Sequence, residues 1–162
     1  MKGIMMEKLF LYRPRREELD FRQALLADPK TMAYNHAYGG AIDFPRERWA
    51  DWYARWLEDR VGERFYRYLR REGDGKLVGE AAYYRDEAFG EYVCDVLVAA
   101  QYRGRGYGRQ GLELLCAAAK ENGVGRLVDN IAVDNPSVGL FLGAGFRERL
   151  RNEEYILVEK TL

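Results

Sequence analysis

The sequence predicts an α/β fold in which strands and helices are interspersed along one chain. Three observations predict it. Arg64 to Arg71 sets Phe65, Arg67 and Leu69 against Tyr66, Tyr68 and Arg70, the alternation of a strand. Gln110 to Asn122 carries Leu112, Leu115, Cys116 and Ala119 at helical spacing. Between the apolar run Val93 to Val98 and that helix lies Gln101-Tyr102-Arg103-Gly104-Arg105-Gly106-Tyr107-Gly108, a glycine-rich connection from strand to helix.

Lys8 to Arg13 reads as a first strand, ended by Pro14. Glu17 to Ala27 reads as a helix stopped near Asp28-Pro29. Thr31 to Phe44 shows no clean period and contains Asn35, Gly39 and Gly40, so it reads as a loop. Pro45 suits a first helical turn, and Trp49, Trp52, Tyr53, Trp56 and Leu57 continue at helical spacing through Arg46 to Arg60. Gly73-Asp74-Gly75 turns Arg64 to Arg71 into Leu77 to Tyr84, a hairpin. Asp86 to Gly90 turns again into Glu91 to Val98. After the glycine loop and its helix, Asn122-Gly123 is a stop. Leu127 to Val133 is a strand, Pro136 to Leu142 a short helix broken by Gly145, and Glu154 to Glu159 a last strand.

The 162 residues read as one domain, 1–162, with enough chain for a sizeable core. Formal net charge is zero, so no global field favours nucleic acid or a membrane surface. The basic clusters around Arg15 and Arg70 are interspersed with Glu17, Glu18 and Glu72 and read as solvated surface. No stretch approaches the roughly 18 apolar residues that span a bilayer, and MKGIMMEKLF lacks the apolar core of a signal peptide. Cys94 and Cys116 fall in a strand-like and a helix-like run. They read as buried free thiols of a reducing compartment, the cytoplasm. Two cysteines and one histidine do not make a structural zinc site, and no metal is expected.

A glycine-rich turn opening a helix presents backbone N–H groups and the positive end of the helix dipole, a ready site for phosphate. Gly106, Gly108 and Gly111 formally match a dinucleotide fingerprint, and Asp129 follows about 20 residues on as a ribose acid would. Only about fifty residues follow the loop, however, too few for the remaining βαβ units at about 30 residues each. A turn without any ligand leaves unexplained why Arg103, Arg105 and Arg109 alternate with Gly104, Gly106 and Gly108.

The segment VAAQYRGRGYGRQGL resembles the acyl-CoA-binding motif of the GNAT N-acetyltransferase superfamily. Val98 takes the motif's valine, Arg103 its glutamine-or-arginine position, and Gly104, Arg105, Gly106, Tyr107 and Gly108 follow in order. Ala100 stands where proline is usual, a mild departure. DNPSVGLFLGAGF, from Asp134 to Phe146, resembles a second block of the same family. The resemblance covers Leu77 to the C-terminus well and the first seventy residues in outline. It implies a mixed, mostly antiparallel sheet of six or seven strands flanked by about four helices, with the fourth and fifth strands splayed around the ligand. It also implies acetyl transfer from acetyl-CoA to a primary amine by direct attack in a ternary complex.

The resemblance places the pyrophosphate on backbone amides from Arg103 to Gly108, with Arg103 and Arg105 as candidate charged contacts. It places the pantetheine arm against the main chain of Val96, Leu97 and Val98, and a further contact on Asp134 or Asn135, of which Asn135 is favoured. Either side chain could instead cap the helix that follows. The family's usual acid, a tyrosine, is replaced by Phe141, which has no proton to give. Tyr83, Tyr84 or Tyr107 could stand in, water could serve, or the domain could bind acyl-CoA without turnover.

For the base, strand alternation puts Glu91, Val93, Asp95 and Leu97 on one face and Tyr92, Cys94, Val96 and Val98 on the other. Asp95 is the leading candidate, because aspartate is disfavoured in strands and lies here amid apolar neighbours. Glu91 follows, with Glu80 a third option and His36 a distant one. Aromatic residues from Tyr34 to Trp56, with Tyr83 and Tyr84, could wall a site for a small cationic amine, or could be core or a dimer face. A homodimer is a candidate assembly. Three functions stand in competition: an acetyl-CoA-dependent N-acetyltransferase, a silent acyl-CoA-binding domain, and an NAD(P)-dependent oxidoreductase.

Overall fold

A computed structural model describes residues 7–58 and 63–162. Its strands are β1 (Leu9–Tyr12), β2 (Arg64–Arg71), β3 (Leu77–Asp86), β4 (Glu91–Val98), β5 (Arg126–Ala132), β6 (Arg147–Arg151) and β7 (Tyr155–Thr161). They form a seven-stranded sheet in the order β1-β2-β3-β4-β5-β7-β6. Every ladder is antiparallel except β4 with β5, which is parallel. The α-helices are α1 (Asp20–Ala27), α2 (Trp49–Tyr53), α3 (Tyr107–Glu121) and α4 (Ser137–Gly143). This is the mixed, mostly antiparallel architecture expected. It is not the parallel, doubly wound order that a dinucleotide fold requires.

Three local readings change. The loop expected over Thr31 to Phe44 contains a 3₁₀ segment, Ala33–Tyr38, closed by Gly39 at φ +100°. Its i→i+3 bonds need no apolar period, so no periodic signal marks it. The helix expected from Arg46 is a 3₁₀ turn, α2 and then a π-turn over Ala54–Glu58; Asp59 and Arg60 lie outside the described residues. The last strand is a pair, β6 with β7. All five residues of β6 are exposed, so this edge strand carries no apolar alternation to read.

Alternation along the strands builds two cores. On one face Leu69, Ala81, Tyr83, Cys94, Val98, Leu127 and Ile131 pack with Leu112 and Leu115 of α3 and Phe141 of α4. On the other, Tyr66, Tyr68 and Leu97 pack with Leu25 and Leu26 of α1, Met32, Phe44, Trp49 and Trp52. The predicted faces of β4 are therefore correct: Cys94 and Val98 look toward α3, and Leu97 toward α1 and α2. Gly111 lets α3 lie close on the sheet, since a Cβ there would meet Leu69 at 2.8 Å and Val96 at 3.2 Å. That packing role accounts for the third glycine of the apparent dinucleotide fingerprint.

Candidate active site

The site begins where the sheet opens. β4 and β5 register at Tyr92↔Leu127 and Val93↔Val128, and then part. β4 stays paired to β3 as far as Gly79↔Val98, and β5 to β7 as far as Ala132↔Tyr155. The facing edges of Cys94–Val98 and Asp129–Ala132 thus present backbone N–H and C=O groups across a cleft. Such edges need partners, and an extended amide-bearing chain can supply them as an added strand would.

At the end of β4 the chain makes a 3₁₀ turn, Ala100–Tyr102, and then the glycine loop. Gly104 and Gly106 both adopt positive φ, +79° and +81°, which a side chain would strain. Gly106 is the N-cap of α3 with no side-chain cap bond, and the first intrahelical bond runs from Gln110 N to Gly106 O at 3.2 Å. The amides of Tyr107, Gly108 and Arg109 therefore precede the helix's own ladder and remain to bind an anion.

The side chains of the loop behave differently from one another. Arg103 turns back onto the backbone, donating to Val98 O at 3.2 Å and to Thr31 O at 2.8 Å. Its guanidinium thus braces the loop. Arg105 lies over the Tyr102 ring, 5.8 Å from its centroid, and Arg109 pairs with Glu113 at 3.0 Å. Tyr107 is buried, and its hydroxyl accepts from Arg71 at 3.3 Å. Asn135 Oδ1 accepts from Ser137 N at 2.9 Å, the helix-capping alternative. Asp134 instead pairs with His36 Nε2 at 3.4 Å.

Asp95 lies on the α1–α2 face of β4, opposite Ala82, beside the cleft. It is solvent-exposed yet crowded by protein that strips part of its hydration. That desolvation, reinforced by the charge of Glu80 and opposed by Arg22, raises its pKa to about 6. Glu80 is buried and bound by Arg22 Nη1 at 2.7 and 2.9 Å and by the Tyr66 hydroxyl. Glu91, the other predicted base, is held by two arginines: Arg149 at 2.6 Å and Arg126 at 3.6 Å. The Arg149 hydrogen bonds lower its pKa, an environment for a fixed anion.

Two further groups meet here that the sequence reading did not assign to catalysis. Asp129 of β5 has its pKa raised by burial and by the charge of Asp95 across the cleft. The signal was present, since an aspartate inside the strand Leu127 to Val133 is as unusual as Asp95. Tyr34, 40% exposed, sits on the 3₁₀ segment within range of the charges of Asp95, Glu80, Asp129 and Arg103. By contrast, Tyr83 lies on the opposite face, its hydroxyl accepting from Asn122 at 2.9 Å. The aromatic wall is partly filled from within: Arg22 stacks 4.4 Å over Trp52 and 5.1 Å over Phe44.

A cleft between parting parallel strands, with a glycine turn opening a helix at one strand's end, is the arrangement of an acyl-CoA-dependent acetyltransferase fold. Residues 24–146 match the acetyltransferase (GNAT) family, and the chain belongs to that family. No curated protein matches the sequence. Among solved structures, it is similar to the spermidine N-acetyltransferase of Vibrio cholerae in complex with CoA and spermine, with 16% identity and TM-score 0.77, covering 94% of this chain and 95% of that one. It is also similar to the ribosomal-protein-alanine N-acetyltransferase of Brucella melitensis, with 23% identity and TM-score 0.72, covering 94% and 99%. A GNAT-family acetyltransferase of Bacillus anthracis shares 16% identity at TM-score 0.73, covering 98% and 97%.

Proposed function

We propose that this chain is an N-acetyltransferase that moves an acetyl group from acetyl-CoA to the primary amine of a small molecule, by direct attack in a ternary complex. The observation that carries the reading is Asp95, a carboxylate tuned to about pH 6, beside the cleft between β4 and β5. The fit to acetyl-CoA rests on the loop amides for its pyrophosphate and on the free edge of Val96, Leu97 and Val98 for its amide-bearing arm. Bound acetyl-CoA supplies the activated acetyl group.

In this reading, backbone amides from Arg103 to Gly108 hold the phosphates, and Arg105 and Arg109 add charge at the rim. Arg103 contributes by bracing the loop, and Asn135 by fixing the start of α4. An N–H of the β4 edge stabilises the oxyanion that forms on attack. Asp95 takes the proton the amine must lose. Glu91, ion-paired at the far end of β4, is the weaker candidate. The carboxylate of Asp95 suits a cationic acceptor. We further read residues 1–162 as one domain, place it in the cytoplasm because both cysteines are free and buried, and expect neither nucleic acid nor membrane as partner. A homodimer is the assembly to test.

Isothermal titration with acetyl-CoA, coenzyme A and NADP tests the ligand. Binding of acetyl-CoA that is lost in Gly106→Glu supports the loop as its site; binding of NADP alone overturns the reading. Thiol release with a panel of amines then tests transfer. Phe141 favours a second reading, a silent acyl-CoA-binding domain, which binding without thiol release would select.

A further inference from the structure

We propose that the Tyr34 hydroxyl is the proton donor to the departing thiolate, supplied from the strap between α1 and α2 in place of the helix position that Phe141 fills. The inference rests on the acyl-transfer reading and deepens it.

The strap spans the mouth of the cleft and is tied to both of its walls. At its start, Ala100 N just beyond β4 donates to Thr31 Oγ1 at 3.0 Å, and Arg103 of the glycine loop donates to Thr31 O. Met32 is buried in the core beneath. At its other end His36 Nε2 reaches Asp134 Oδ2, just beyond β5, at 3.4 Å. Tyr34 lies between these anchors, on a segment that runs from the end of β4 to the end of β5. The charges of Asp95 of β4, Asp129 of β5, Glu80 of β3 and Arg103 all act on the Tyr34 hydroxyl. Partial desolvation and the charges of Asp95, Glu80 and Asp129 raise its pKa, so the hydroxyl carries its proton when the reaction starts.

The three phenols named above as stand-ins are placed elsewhere. Tyr83 and Tyr107 are buried and already bonded to Asn122 and Arg71. Tyr84 pairs with Val93, where β4 and β5 are still joined, and packs on Trp56 at 6.1 Å. Phe141 is 3% exposed and packs on Phe146.

The protons balance. The amine nitrogen bonds to the acetyl carbon and gives a proton to the Asp95 carboxylate. The carbon–sulfur bond breaks, its electron pair stays on sulfur, and Tyr34 O–H protonates that sulfur. Asp95 then returns its proton through water to the Tyr34 phenolate. One amine and one thioester become one amide and one free thiol.

The test is Tyr34→Phe, followed by thiol release under saturating acetyl-CoA and amine. The expected result is a kcat lower by about 100-fold, with acetyl-CoA affinity by calorimetry and the melting temperature unchanged. Installing 3,5-difluorotyrosine at position 34 restores turnover and moves the alkaline limb of kcat to lower pH, a shift that a packing role would not produce. Wild-type kcat in Tyr34→Phe overturns the proposal, as does a lowered affinity or melting temperature that accounts for the loss. A wild-type protein that binds acetyl-CoA and releases no thiol with any amine overturns the acyl-transfer reading, and the donor role with it.

Discussion

Arg22 of α1 reaches across to Glu80 of β3 and binds both of its carboxylate oxygens, at 2.7 and 2.9 Å, while its guanidinium stacks on Trp52, Phe44 and Tyr66. This pair joins the helix layer to the sheet directly beside Asp95. It also means that the aromatic cage is occupied by the protein's own cation. Within this cluster Glu80 is paired with Arg22, whereas Asp95 makes no ion pair among the described residues.

Breaking the pair strands a charge. The side chains of Arg22 and Glu80 are only 16% and 7% exposed. Glu80→Gln is therefore expected to cost about 3–5 kcal/mol in urea unfolding. Arg22→Met combined with Glu80→Leu costs less than the sum of the single changes, because neither charge is then left alone. A Glu80→Gln protein as stable as wild type would show that solvent already screens the pair.

Asp95 is expected to set an acid limit on turnover. As a base with a pKa of about 6, it must be ionised, so kcat/KM is expected to fall as pH drops below about 6. Asp95→Asn removes this limb and lowers kcat/KM by about 100-fold or more, with acetyl-CoA affinity kept. An unshifted limb in Asp95→Asn would assign the base elsewhere, with Asp129 next in line.

The same carboxylate opposes stability. Its folded pKa of about 6 lies above the ordinary value of 3.8, so between those values the native state binds more protons than the unfolded one. Stability therefore falls as pH rises through that window and stays lower above it. Asp95→Asn should melt higher than wild type at pH 8 and equally at low pH. The gain is about 1 kcal/mol, since solvent contact holds the effect well below the full shift. Equal melting at both pH values would mean that the carboxylate is fully hydrated.

Gly111 allows α3 to pack close on the sheet. Gly111→Ala is expected to cost about 1–3 kcal/mol, as Leu69 and Val96 must give way to the added Cβ. Because α3 opens at the glycine turn proposed to hold the pyrophosphate, the change should also weaken acetyl-CoA binding, read by calorimetry. A neutral effect on both would show that the two side chains re-pack freely.

Much of the architecture was legible locally. Alternation in Arg64 to Arg71 and in Glu91 to Val98 placed β2 and β4 and gave the faces of β4 correctly. Gly104 and Gly106 marked a turn that needs positive φ. β6 was not legible, because an edge strand with every residue exposed obeys no burial period. Asp95 was legible as an aspartate misplaced in a strand, and the same reasoning extends to Asp129.

What the sequence determined by itself is what short-range sterics and burial period control: six of the seven strands, the amphipathic helix α3, the glycine turn and the family it resembles. The tertiary structure alone decided which charges meet. Arg22 and Glu80 are 58 residues apart in sequence, and His36 finds Asp134 across the cleft. The strap that bears Tyr34 is pinned at Thr31 to Ala100 and at His36 to Asp134, contacts distant along the chain. Coulomb energy and desolvation depend on distances through space, and no local pattern along the chain encodes them.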